Sequence, residues 1–186
     1  MSLAPKVAHP RRFFLQYGPV KSDRVGMESK ENIIVKFKKL WKYYLMQSLI
    51  ASAALGATIL ILGKEKIVAI SAMGATSFIL FAMPKSVSAR TSHVIGGHLV
   101  GLASGAIFYL TSLPYFIEYP FAVGIAIFLM VTLDVEHPPA AGTALAVVIN
   151  EVSKNAFITI FITIMLSAVL LTQCQYYLRR YLKDLV

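Results

Sequence analysis

The chain has 186 residues, of which 57% are hydrophobic and 15% charged, with a mean hydropathy of +0.68 and a formal net charge of +9. That balance excludes an ordinary soluble domain. The charge is also unevenly spread: residues 1–42 hold ten of the 18 Lys and Arg against three acids, a net +7, while residues 67–133 contain only Lys85, Arg90 and Glu118. This is the pattern of a membrane protein with a basic N-terminal arm.

In chain order, the arm (1–42) lacks the short apolar core of a secretory signal, since its first long apolar run starts at residue 43 and is already of span length. It is rich in Lys and poor in Ser, which makes an organelle transit peptide the lesser reading. Ile33, Ile34, Phe37, Leu40, Trp41 and Tyr44 share one helical face and Lys36, Lys38, Lys39 and Lys42 the other. An interfacial amphipathic helix is therefore expected over about 32–44, resting on anionic lipid. A solvated basic linker obeying the positive-inside rule is the plainer alternative. Nucleic acid is not an expected partner, because no nucleic-acid-binding motif accompanies the basic face.

The domain proper is expected over 43–177, with a basic tail at 178–186. A bilayer core needs about 20 helical residues. Tyr43–Leu62, His93–Leu113 and Ala156–Tyr177 are full spans; Ile67–Met83 is shorter and stops at Pro84, and Pro120 opens Phe121–Leu133. Ala140–Asn150 would be only about 16 Å long as a helix. Lys85 and Arg90, like Arg179, Arg180 and Lys183, belong inside with the arm, whereas the loop PYFIEYP has no basic residue and reads as outside. Both termini are then cytoplasmic and the crossings even in number. The expected fold is all-α, with five full or near-full spans plus a short broken helix, making six crossings. That count allows an inverted three-helix repeat in which Thr76 falls on Thr143 and Gly74–Ser77 on Ala141–Ala144.

Between the fourth and last apolar runs lies DVEHPPAAGTALAVVIN. Pro138 and Pro139 suit a first helical turn, where a missing N–H costs nothing. The N–H groups of Ala140, Ala141 and Gly142 would follow as free donors, with the Thr143 hydroxyl beside them. A helix N-terminus so built attracts anions. One helix end contributes only about 0.3–1 kcal/mol, up to ~2 when partly buried, so a site needs several donors. Gly74, Ala75, Thr76 and Ser77 would supply a second helix end, with His98 or His137 alongside and Lys85 and Arg90 at the entrance. The plainer reading makes HPP a tight turn and the small residues packing.

HPPAAGTAL, MGATSFILFAMPKS and HVIGGHLVG together resemble the HPP family of integral membrane proteins, over roughly residues 43–177. The resemblance implies a small helical membrane domain, usually described with four spans, and, by analogy with plant chloroplast and cyanobacterial relatives, transport of nitrite. The six-crossing count departs from that description. So do Thr91, Ser92 and His93, which stand where relatives tend to carry Pro-Arg-Asn, with Arg90 the nearby basic residue.

His93 and His98 are five apart and do not share a helical face as i, i+4 ligands would, so no metal site is expected. His98 either lines the pathway or makes a buried packing bond. Gly97, Gly101 and Gly105 point to close helix packing. Asp134, Glu136 and His137 read as a solvated acidic loop. No nucleophile with an oxyanion hole accompanies them, and Cys174 is alone, so neither an enzyme, a cofactor nor a disulfide is expected. The sequence points to transport of a small inorganic anion in a bacterial inner membrane, an organelle membrane being the alternative, and it allows a homo-oligomer. An anion channel and a non-transporting membrane sensor or scaffold are the rival readings.

Overall fold

A computed structural model describes residues 33–62, 67–111, 113–149, 154–183 and 185. Most of the basic arm, the GKEK segment at 63–66 and Asn150 lie outside the described residues. The described residues form six α-helices and no strand: α1 Ile33–Leu62, α2 Ile67–Ala82, α3 Thr91–Tyr109, α4 Tyr115–Thr132, α5 Pro139–Ile149 and α6 Lys154–Leu178, with a 3₁₀ turn at Val87–Ala89. The chain divides into two units, Met1–Leu40 and Trp41–Val186. The helical bundle described below belongs to the second.

Among the described residues, three segments are long and apolar enough to cross a membrane: Phe37–Leu60, Tyr115–Thr132 and Phe157–Leu178. Ile67–Ala82 and Pro139–Ile149 are apolar but shorter. Helix α3 has 19 residues, but they include His93, His98, Ser92, Ser104 and four glycines.

Side-chain size decides which helices lie at the centre. Helix α3 packs most extensively on α5, and α2 also packs on α5. A Cβ placed on Gly105 would come within 2.6 Å of the Ala144 carbonyl oxygen and 2.7 Å of the Val147 Cβ; one on Gly97 would come within 2.7 Å of the His137 Cβ. Gly101 lies against the Ala140 carbonyl in the same way. The glycine face expected to serve packing does so, letting the two backbones approach as small residues do in lipid. Around this pair Met73, Leu80 and Phe81 of α2, Val94 and Leu102 of α3, Val147 of α5 and Ile160 and Ile164 of α6 form one buried core. Helix α4 covers the other side of α5 through Ala126 and Met130. The outward faces carry Phe121, Phe128 and Val131 of α4 and Ile158, Ile162 and Leu170 of α6, all exposed, as suits residues that meet lipid.

Two expectations need correction. The fourth helix starts at Tyr115, not after Pro120: Pro114 is its N-cap, and its carbonyl accepts from Ile117 and Glu118 N–H at 2.9 and 3.0 Å. Pro120 sits one turn further in, at an exposed position, where it costs one helical bond without stopping the helix. The second correction concerns Gly74–Ser77, which is the middle of α2 and not a helix end. Its N–H groups are spent inside a continuous apolar helix.

Helix α4 ends in a Schellman turn. Val135 N–H bonds to the Met130 carbonyl at 2.9 Å, and Asp134 takes the left-handed conformation, φ 55°. The chain therefore reverses sharply, and Val135 fits against Gly96, where a Cβ would lie 2.8 Å from Val135 Cγ1. At the other terminus, Leu185 N–H bonds to the Ala82 carbonyl at 2.9 Å, the Gln47 side chain donates to the Phe81 and Lys183 carbonyls, and Lys183 Nζ stands 4.1 Å from the Tyr43 ring centre. Lys183 and Leu185 are thus docked against α1 and the end of α2.

Candidate functional site

The turn after α4 delivers His137 into the centre of the bundle, where α2, α3 and α5 meet. Thr76, His98, His137 and Thr143 are all fully buried there. Their contacts form one chain of hydrogen bonds. His137 Nδ1 lies 2.8 Å from the Ser88 carbonyl oxygen, which can only accept, so Nδ1 carries the proton and Nε2 of the neutral ring accepts. Thr76 Oγ1, 3.0 Å away, is the donor to that nitrogen. The same oxygen accepts from His98 Nε2 at 3.1 Å, and His98 Nδ1 accepts in turn from the Thr143 hydroxyl at 2.8 Å. Every bond then points one way, from Thr143 through His98, Thr76 and His137 to Ser88. The two imidazoles stand edge to face, with ring centres 5.0 Å apart.

The Thr76 hydroxyl gives this chain a second arrangement. Its oxygen is also 3.0 Å from the Ala72 carbonyl one turn back in α2. If the hydroxyl donates there, both its lone pairs are free to accept N–H groups, one from each histidine. The hydrogen bonds at Thr76 therefore have two alternative directions that use the same side-chain positions.

Several sequence-derived site residues stand elsewhere or in other roles. The Ala140 and Ala141 N–H groups are not free donors: they bond to the His137 and Pro138 carbonyls at 2.8 and 3.2 Å. The prolines start the helix as a tight turn that spends its own first donors. Gly142 faces Ala72 of α2, whose Cβ lies 3.3 Å from where a glycine Cβ would stand. Ala75 and Pro138 line a shallow apolar surface depression with Phe78, Ile79 and Pro139. Gly74 abuts Leu55, and Ser77 has a buried hydroxyl with no partner. Four residues of the expected set thus converge, and the rest pack around them.

Lys85 and Arg90 open onto a second feature, a polar vestibule of about 490 Å³ lined by Pro84, Ser86, Ala89, Thr91, Gln175, Tyr176 and Arg179 as well. Three cationic side chains thus gather at one end of the bundle, brought together by the 84–91 connection and the end of α6. Ser88, which fixes the His137 tautomer, belongs to that same connection. Sequence reasoning missed Ser88, Gln175 and the placement of Arg179, because no spacing relates the last helix to the loop after α2.

The family described as HPP, transmembrane region, matches residues 36–184. No curated protein and no solved structure matches the chain. The match covers most of the sequence, and the chain belongs to the HPP transmembrane family.

Proposed function

We propose that this HPP family membrane protein moves a small inorganic anion, with nitrite the first candidate, from the basic vestibule towards the Thr76–His98–His137–Thr143 cluster. The observation that carries the proposal is the 84–91 connection, which lines a vestibule bearing Lys85, Arg90 and Arg179 and also holds His137 through the Ser88 carbonyl. Cationic side chains at a concave mouth concentrate anions and speed their capture. The buried cluster behind them supplies what a partly dehydrated anion needs, namely hydroxyl and imidazole donors in a region otherwise apolar. In the arrangement described here these donors satisfy one another, so this state is closed. Entry requires the anion to replace the Thr76 or Thr143 bonds.

In this reading α1–α6 make six crossings with both termini on the cytoplasmic side of a bacterial inner membrane, α5 being the incomplete crossing. Two inverted halves of three helices account for the pairing of Thr76 with Thr143. These residues superpose in the internal alignment and meet opposite nitrogens of the same His98 ring, which supports the repeat. The exposed Lys38 and Lys42 of α1 suit contact with anionic lipid. The protein acts without chemical conversion of its substrate.

Flux in liposomes tests this. Purified protein should take up nitrite saturably, and replacing Lys85, Arg90 and Arg179 together with Gln should reduce uptake at low nitrite and low salt by about tenfold or more. The loss should shrink as salt screens the field. A well-assembled protein that moves no small anion is a sensor or scaffold, and the transport proposal then fails. Uptake that never saturates would make it a channel.

A further inference from the structure

The acidic reversal after α4 does more than turn the chain. Its αL residue Asp134 is exposed and Glu136 is half-buried, while His93, in the first turn of α3, is 3% exposed. His93, some forty residues earlier in the chain, comes together with the two acids so that one ring nitrogen of His93 and one carboxylate oxygen from each acid all lie within 4.8 Å of one another. His93 Nδ1 is 3.6 Å from Glu136 Oε2, too long for a hydrogen bond, and this buried nitrogen has no other hydrogen-bond partner. A buried, unpartnered imidazole nitrogen facing one carboxylate, with a second carboxylate beside it, is an unfinished arrangement.

We propose that His93, Asp134 and Glu136 bind a first-row divalent metal ion such as Zn2+ or Mn2+. One imidazole nitrogen and two carboxylate oxygens suit such ions, with water completing the coordination. Bonds of about 2.0–2.2 Å at tetrahedral angles put ligand atoms roughly 3.4 Å apart. The His93–Glu136 pair already stands at 3.6 Å. The Asp134 carboxylate, on the exposed side, lies within 4.8 Å of the other two ligand atoms. The ion would also offset the repulsion between the two carboxylates.

Its position gives the ion a mechanical role. Asp134 and Glu136 lie on the connection that carries His137, and His93 lies on the helix that carries His98. A bound ion fastens the connection to the first turn of α3 and so holds the two histidines of the buried chain in register. The inference stands whether or not the protein transports nitrite, because binding is read without flux.

The test uses the full chain, purified without a polyhistidine tag and stripped with chelator, titrated with Zn2+ and separately with Mn2+ by calorimetry in detergent. One ion per chain is expected, with the thermal midpoint rising as metal is added. Glu136→Gln and Asp134→Asn, at sites that face solvent and keep side-chain shape, should each weaken binding by about tenfold or more, and the double variant should lose both the heat and the thermal shift. His93→Gln should do the same where it folds. The site is refuted if the wild type binds neither ion, in which case the histidine answers the carboxylates alone, or if the folded double variant binds like the wild type, which would place the metal elsewhere.

Discussion

Thr76→Val is the sharpest perturbation of the buried chain, because valine keeps the shape of threonine and removes only the hydroxyl. That oxygen sits between His98 Nε2 at 3.1 Å and His137 Nε2 at 3.0 Å. Its loss leaves one buried donor and one buried acceptor unsatisfied. Each such orphan costs about 1–3 kcal/mol, so the substitution should destabilise the protein by roughly 2–6 kcal/mol before relaxation, with the lower half of that range expected once the rings tilt. Thr143→Val orphans only His98 Nδ1 and should cost about half as much, roughly 1–3 kcal/mol. Thr76→Ser restores the hydroxyl and should recover most of the loss. Unfolding with SDS in mixed micelles, followed by circular dichroism, ranks the four proteins. The order wild type, Thr76→Ser, Thr143→Val, Thr76→Val is expected from most to least stable. Equal stability of Thr76→Val and wild type would refute the single-file hydrogen-bond chain, since two buried imidazoles cannot lose their shared partner at no cost.

Gly105→Ala should destabilise by about 1–3 kcal/mol through overpacking alone, because the new Cβ meets the Ala144 carbonyl and Val147 Cβ at 2.6 and 2.7 Å; a neutral result in the same SDS unfolding would mean that α3 and α5 do not touch there. For topology, a single Cys at Ser86 in a Cys174→Ser background should label from the cytoplasmic side and one at Glu118 from the opposite side. Labelling of both from one side would remove the orientation proposed for α3 and α4.

Much of the fold was legible because the bilayer simplifies the reading. Apolar runs bounded by Pro84, Pro114 and HPP mark helix ends, and the glycines at i, i+4 and i+8 of α3 announce a close neighbour without naming it. Helix α4 starts earlier than its sequence suggests for a local reason: two prolines six residues apart compete to start one helix, and nothing in the sequence ranks Pro114 above Pro120. The candidate site was legible in its residue types but not in its geometry. Thr76, His98, His137 and Thr143 could each be singled out as polar groups in apolar surroundings. That Ser88 sets the tautomer of one histidine, or that Arg179 joins Lys85 and Arg90, depends on contacts between segments tens of residues apart.

The break at HPP has a different local structure from the one its residues suggest. Read locally, two prolines before Ala-Ala-Gly promise a helix end with open donors and room for an ion. In the folded chain the two carbonyls that precede those donors, His137 and Pro138, turn back and take the Ala140 and Ala141 N–H groups, while Gly142 is small because Ala72 of α2 lies against it. Small residues permit close approach equally well for an ion and for another helix, and here the helix is present. What remains for the break to accomplish is the placement of one side chain. A continuous helix from α4 into α5 would carry residue 137 along its own axis. The Schellman turn at Asp134 and the proline start at 138–139 instead drop His137 between α2 and α3, with Ser88 on one ring nitrogen and Thr76 on the other. The break thus serves to place its histidine, and the prolines fix where that histidine goes.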